Sequence, residues 1–279
     1  MLTADAIAAA VRSAVAEAAT TLRSDVCRAM EFAAAAEPSS SGRDVLSRIL
    51  ENARIAGRDR VPLCQDTGTT WVWVELGTQE CVDGDVYAAI DAAVRDAYRG
   101  GALRMSVLRD ALTDRTNTGD NTPAFVDITL RPGTGATVHV MLKGGGSDNA
   151  SALSMLEPAA GVDGIKRFIV ERVAAKGASA CPPLVLGVGV GGTFDSVAKL
   201  AKKALLRPVG TAAENSRVAG FEVEVLGAVN ALGIGPGGLG GRTTALAVHV
   251  LTAPCHIAAL PVAVNLGCSA MRSATVEVA

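Results

Sequence analysis

The sequence has no surplus of charge of either sign. Lys and Arg number 26 against 28 Asp and Glu, for a net charge of -2, so no broad basic field is available to hold a polyphosphate backbone, and a dedicated nucleic-acid binder is excluded. Charged residues are also few, at 19% against 49% apolar, the reverse of the balance that keeps a chain unfolded. The chain lacks an uninterrupted apolar run of membrane-spanning length. The longest candidate, Val250 to Cys268, is broken by Pro254, His256, Pro261 and Asn265 and reads as buried strand and loop. No basic cluster precedes the apolar N-terminal positions Ala8, Val11, Val15 and Ala18, and Asp5 and Glu17 fall among them. That argues against a secretory signal and for a cytoplasmic protein. Six cysteines (Cys27, Cys64, Cys81, Cys181, Cys255 and Cys268) are widely spaced in a chain too large to need staples, so they are expected to be thiols or metal ligands.

What is present reads as an intermixed α/β chain. Residues 4–35 and 43–56 are predicted helices separated by Pro38–Gly42, followed by the loop Pro62–Gly68 and a strand over Trp71–Leu76. Asp85 can cap a helix through Tyr98. Phe125–Leu130 and Ala136–Leu142 alternate around Pro132-Gly133-Thr134-Gly135 and are predicted to form an antiparallel hairpin. Helices over 164–175, 196–206 and 212–232, a buried strand over 184–188, a glycine loop over 233–241 and three further strands complete the pattern. The expected fold is a mixed sheet structure with flanking helices. No linker, repeat or composition break marks an internal boundary, so residues 1–279 are expected to be one domain, 1–42 forming a helical lead-in.

Two chemical readings follow. Gly187-Val188-Gly189-Val190-Gly191-Gly192 matches GxGxxG between a strand and a helix, and a dinucleotide-dependent oxidoreductase is the alternative it offers. Its acidic partner about 20 residues on would have to be Glu214, inside a predicted helix, and a tight strand-to-helix turn explains the glycines equally well. The second reading rests on an ordered set: Pro62-Leu63-Cys64-Gln65-Asp66-Thr67-Gly68, Asn117-Thr118-Gly119-Asp120-Asn121-Thr122-Pro123, Lys143-Gly144-Gly145-Gly146-Ser147, Gly233-Ile234-Gly235-Pro236 with Gly238-Leu239-Gly240-Gly241, and His256-Ile257-Ala258 leading to Leu260–Asn265. From about residue 43 to the C-terminus this set resembles the class I, iron–sulfur-dependent fumarase and tartrate dehydratase family, in its N-terminal domain or alpha subunit.

The resemblance implies a [4Fe–4S] cluster held by Cys64, Cys181 and Cys268, three thiolates leaving one iron open as a Lewis acid; Cys27, Cys81 and Cys255 fall outside the ligand positions and are structural. It implies reversible hydration of a small dicarboxylate, fumarate to L-malate first and L-tartrate dehydration second. Asp66 is the candidate for proton chemistry, Gln65 and the Gly145 N–H contact substrate, and an arginine binds a substrate carboxylate: Arg104 by position, with Arg109 and Arg115 near enough to compete. His256, twelve residues before Cys268, is a polariser or proton relay, while His139 and His249 read as core residues. Asp148, Gly237, Arg242 and Ser269 depart from the family pattern without removing a ligand. The family's remaining active-site residues lie in a C-terminal domain or beta subunit, so a beta subunit in an α2β2 assembly is the expected partner. A non-catalytic relative is the third reading.

Overall fold

The computed structural model describes all 279 residues, Met1–Ala279. In chain order the elements are β1 (Leu2–Thr3), α1 (Ala4–Thr20), α2 (Ser24–Ala36), α3 (Ser40–Asp59), β2 (Thr69–Gly77), β3 (Val82–Asp83), α4 (Val86–Gly100), β4 (Phe125–Arg131), β5 (Ala136–Lys143), α5 (Gly145–Asn149), β6 (Ala152–Leu156), α6 (Gly161–Lys176), β7 (Leu184–Gly192), α7 (Phe194–Ala204), α8 (Ser216–Asn230), β8 (Ala245–Cys255), β9 (Leu260–Gly267) and β10 (Ser273–Val278). This is the mixed α/β architecture expected. The predicted helix over 4–35 divides in two: α1 stops at two consecutive β-branched threonines, and Thr21 turns to extended backbone while its N–H bonds the Glu17 carbonyl.

The chain forms two compact units, each assembled from separated segments. The first comprises Met1–Arg23, Asn52–Gly145 and Arg272–Ala279. Its four-stranded sheet has the order β10-β5-β2-β4, with β2 and β4 parallel and the other pairs antiparallel. The expected β4–β5 hairpin is therefore not formed. Strand β2 lies between its two arms, and the Gly133–Gly135 turn passes around the end of β2, where the Gly77 N–H bonds the Gly135 carbonyl at 2.8 Å. A side chain at Gly77 would meet the Gly133 carbonyl at 2.5 Å, so the crossing needs glycine there. Period-2 positions Val72 and Val74 of β2 and Val138 and Val140 of β5 share a core with Ile7, Val11, Ala14 and Val15 of α1 and with Ile90, Val94 and Tyr98 of α4. Asp85 caps α4 through the Ala88 N–H at 3.1 Å, as expected. His139 is not a core residue: it lies half-exposed on β5 and bonds Thr275 of β10.

The second unit comprises Ser24–Glu51 and Gly146–Met271. Its sheet order is β6-β9-β7-β8, with only β7 and β8 parallel. Leu184, Leu186 and Val188 of β7 and Val262, Val264 and Leu266 of β9 face α6 and α8, whereas Ala263 of β9 packs on Val197 and Ala201 of α7. The opposite face of β7 is glycine because α7 lies directly on it. A Cβ at Gly187 would strike the Ala201 carbonyl, and one at Gly189 would come 2.5 Å from the Val197 carbonyl. The GxGxxG glycines are thus inside the strand and occupied in helix-on-strand packing. Gly187→Ala is expected to destabilise the fold by about 3 kcal/mol, read as a lowered denaturation midpoint; an unchanged midpoint would mean the packing is looser than described. His249 is buried, as expected.

Glu37, 2% exposed, holds the glycine loop of this unit in place. Its carboxylate accepts the N–H groups of Arg242 (2.9 Å), Thr243 (2.9 Å) and Ser39 (3.2 Å). Burial pushes this carboxyl up, but the hydrogen bonds outweigh burial and hold it below its ordinary value of 4.5. A depressed folded value means stability that is present above pH 4.5 and lost as the pH falls below it. Glu37→Gln, which sets an amide N–H₂ against backbone donors, is expected to cost on the order of 1–3 kcal/mol at pH 7. It should also flatten the acid limb of a melting-temperature profile; an acid limb as steep as the parent's would refute this assignment.

Candidate active site

In the first unit the loop Pro62–Gly68 is held through its backbone on both sides of Cys64 and Gln65. The Leu63 N–H bonds the Ala19 carbonyl at 2.9 Å, and Asn52 donates to the Leu63 carbonyl at 2.9 Å. Three successive carbonyls accept from buried side chains. Arg272 Nη1 donates to Asp66 O at 2.6 Å, and the Tyr98 hydroxyl faces Thr67 O at 3.2 Å and Gly68 O at 2.9 Å. Tyr98 is fully buried and Arg272 is 3% exposed, so these donors have no water to compete for. Gly68 adopts φ +80°, and a side chain there would collide with the Lys143 carbonyl.

The rigid loop presents the Asp66 carboxylate. Oδ1 pairs with Arg104 Nη2 at 3.1 Å, and Oδ2 accepts the Gly145 N–H at 2.9 Å. A side chain at Gly144 would crowd the carboxylate, since a Cβ would lie 3.0 Å from Asp66 Oδ2 and 3.3 Å from Arg272 Nη2 and both would have to give by a few tenths of an ångström. Cys64 and Gln65 are neighbours here, with the thiol 3.3 Å from Gln65 Oε1. The structure therefore brings Cys64, Gln65, Asp66, Arg104 and Gly145 into one site. Of the three candidate arginines it is Arg104 that meets Asp66; Arg115 bonds the Ala111 carbonyl at 3.0 Å, and Arg109 lies in the strand-like turn closed by its N–H to Thr116 O. Arg104 remains 58% exposed in its side chain, leaving the rest of its guanidinium fork open to a second carboxylate.

In the second unit Cys181 and Cys268 stand at the same end of neighbouring strands. Cys181 precedes β7 and Cys268 follows β9, whose antiparallel register pairs Val185 with Gly267. The Ser269 N–H bonds the Cys181 carbonyl at 3.0 Å, and the Gly237 N–H bonds the Pro182 carbonyl at 2.8 Å. Cys181 has left-handed backbone, φ 57°, a conformation uncommon for a residue with a Cβ. His256 does not share that end. It sits on the exposed β8–β9 turn, its Nδ1 accepting the Ala258 N–H at 3.1 Å, and the eight residues of β9 separate it from Cys268 by about 26 Å of extended chain. Twelve residues of sequence separation are spent crossing the sheet. Cys255 lies at that far end also. Asp148 accepts from Asn265 at 3.3 Å and pairs with the buried Lys202 at 3.4 Å.

No disulfide joins any of the six cysteines. Within either unit taken by itself, no three His, Cys, Asp or Glu side chains are grouped to hold a metal ion: the three expected ligands divide as Cys64 in the first unit and Cys181 with Cys268 in the second. By chemistry, thiols outside disulfides suit an iron–sulfur cluster, and in the second unit two of them, Cys181 and Cys268, stand at one sheet end, where the residue after Cys268 bonds the Cys181 carbonyl.

A family model described as fumarate hydratase (Fumerase) matches residues 8–277. The chain belongs to the fumarate hydratase family. Among relatives of this fumarate hydratase family member, a Methanocaldococcus jannaschii protein named "Putative L(+)-tartrate dehydratase subunit alpha" is 41% identical over 266 residues, covering 92% of each chain. The L(+)-tartrate dehydratase subunit alpha of Escherichia coli K12 is 33% identical over 248 residues, 87% of this chain and 81% of that one, and the Shigella sonnei protein of the same name matches equally. The family is one of hydro-lyases, and no helix is long and apolar enough to cross a membrane.

Sequence reasoning missed Tyr98 and Arg272. Arg272 stands four residues after Cys268 and could have been noticed there, but nothing in the sequence says that its target is the Asp66 carbonyl. Tyr98 reads only as the last apolar position of α4.

Proposed function

We propose that this chain is the alpha subunit of a hydro-lyase that removes water from, or adds it to, a small dicarboxylate. The observation that supports it most is the Asp66 carboxylate, held by Arg104 and the Gly145 N–H on a rigid loop two residues after Cys64. Cys64, Cys181 and Cys268 would hold a [4Fe–4S] cluster. When bound by three thiolates, that cluster supplies one open iron as a Lewis acid toward a hydroxyl group.

The chain's own residues supply the base and a carboxylate contact. The proton to be removed sits on the carbon beside a carboxylate and is weakly acidic, so it needs a base of fixed position and stabilisation of the negative charge that develops. Asp66 is that base: anchored through both oxygens and through its own carbonyl, it can accept the proton without reorienting. The free side of the Arg104 fork takes the substrate carboxylate, and Gln65 contacts substrate beside it. The electron pair of the broken C–H bond forms the double bond as the hydroxyl on the adjacent carbon departs. His256, at the opposite end of β9 from Cys268, remains the proposed polariser or proton relay.

The names of the relatives support assaying L(+)-tartrate first, before fumarate and L-malate, and their designation as alpha subunits supports a partner subunit, read here as a beta subunit in an α2β2 assembly. The test is to co-express the chain with that partner without oxygen, count iron and sulfide, and follow L-tartrate, fumarate and L-malate. Turnover of one of them by the complex supports the reading. A complex with a full complement of iron and sulfide that turns over none of them overturns it.

A further inference from the structure

We propose that Asn121 is the positioning residue that sets the spacing between Arg104 and Asp66. The inference rests on the reading above that these two form the site, and adds what registers them. Ser106 follows Arg104 by two residues and Gly68 follows Asp66 by two. The Asn121 side chain joins them: Oδ1 accepts the Ser106 N–H at 2.7 Å, and Nδ2 donates to the Gly68 carbonyl at 3.2 Å. Asn121 is fully buried, so both bonds form away from water, where a lost partner costs most. A second tie runs the same way, from Thr67 Oγ1 to the Arg104 carbonyl at 2.5 Å. The two loops are thereby locked at the offset that leaves Arg104 Nη2 3.1 Å from Asp66 Oδ1.

The residue type is dictated twice over. The backbone of Asn121 is left-handed, φ 61°, which asparagine tolerates better than other residues with a side chain. The bridge needs one acceptor and one donor on a short planar group. Aspartate offers only acceptors when ionised, and serine reaches one partner. The segment is itself pinned: Asp120 accepts the Thr122 N–H at 3.1 Å and hydroxyl at 2.7 Å and pairs with Arg95 at 3.1 Å. The motif Asn117–Pro123, to which the proposed chemistry gives no role, is on this account the clamp that aligns it.

Asn121→Gly keeps the left-handed backbone and deletes both bonds; Asn121→Asp keeps the shape and sets a carboxylate against the Gly68 carbonyl. Amide hydrogen exchange on the full chain is expected to quicken at Ser106 by about tenfold or more in Asn121→Gly, with β2 and β5 amides unchanged. In the active complex either variant should lower kcat/KM by about 10²-fold, the scale of a misplacement near 1 Å. That penalty should largely vanish when Arg104→Gln is already present, because the tie acts through Arg104. Unchanged exchange at Ser106, exchange quickened throughout the sheet, or a penalty that adds in full to that of Arg104→Gln would each overturn the proposal. If Arg104→Gln alone leaves turnover intact, the reading of Arg104 as a site residue fails, and the claim that Asn121 sets the spacing of a working pair falls with it. Ser106 exchange then reports only whether the tie exists.

Discussion

Asp66→Asn, assembled with its partner, is expected to lose about 10²–10⁴-fold in kcat with a much smaller change in KM. Asparagine preserves the volume and one oxygen, so the loop should keep its backbone anchors to Arg272 and Tyr98. What it loses is the capacity to take a proton. It also sets an N–H₂ group against either the Gly145 N–H or the Arg104 guanidinium, both of which now face oxygens at 2.9 and 3.1 Å. Steady-state kinetics on a variant with parental iron content is the measurement. Undiminished kcat would remove Asp66 as the base, whereas a rise in KM alone would reassign it to binding.

The second large effect concerns the thiols. Cys64→Ser, Cys181→Ser and Cys268→Ser are each expected to take anaerobically reconstituted protein from about four irons and four sulfides per chain to near none, with turnover falling to background. Serine is isosteric but its hydroxyl is a harder and far less acidic donor. The controls are built into the chain. Cys255 sits at the far end of the β7–β9 sheet, its thiol 3.4 Å from the Ala259 carbonyl, and Cys27 is half-buried on α2, where burial and neighbouring Glu31 raise its thiol above the ordinary value. Cys255→Ser and Cys27→Ser should keep the full count. Retention of iron in any of the first three variants would break the three-thiolate assignment.

Much of the site was legible because its chemistry is local. Cys64, Gln65 and Asp66 are consecutive, Gly145 lies in a visible glycine triplet, and periodicity located most helices and strands to within a few residues. The dinucleotide motif was misleading for an equally physical reason: glycines that free a backbone for a phosphate and glycines that admit a helix onto a strand look the same in one dimension. Only the Cβ positions distinguish them, and at Gly187 and Gly189 these fall on α7.

Taken alone, the sequence determined the element types, the ordered motifs and the thiol, carboxylate and arginine available for chemistry, since these depend on composition and short spacing. Tertiary structure decided everything that depends on strand order and on distant contacts. It put β2 between β4 and β5, built each compact unit from interrupted segments, sent His256 along β9 away from Cys268, and set Arg104, not Arg109 or Arg115, against Asp66. It also brought Tyr98, Asn121 and Arg272, drawn from three distant stretches of chain, onto successive carbonyls of the loop Pro62–Gly68. Hydrogen bonds between residues 30 to 206 apart in sequence leave no periodic trace, because each partner is selected by the fold and not by its neighbours in the chain.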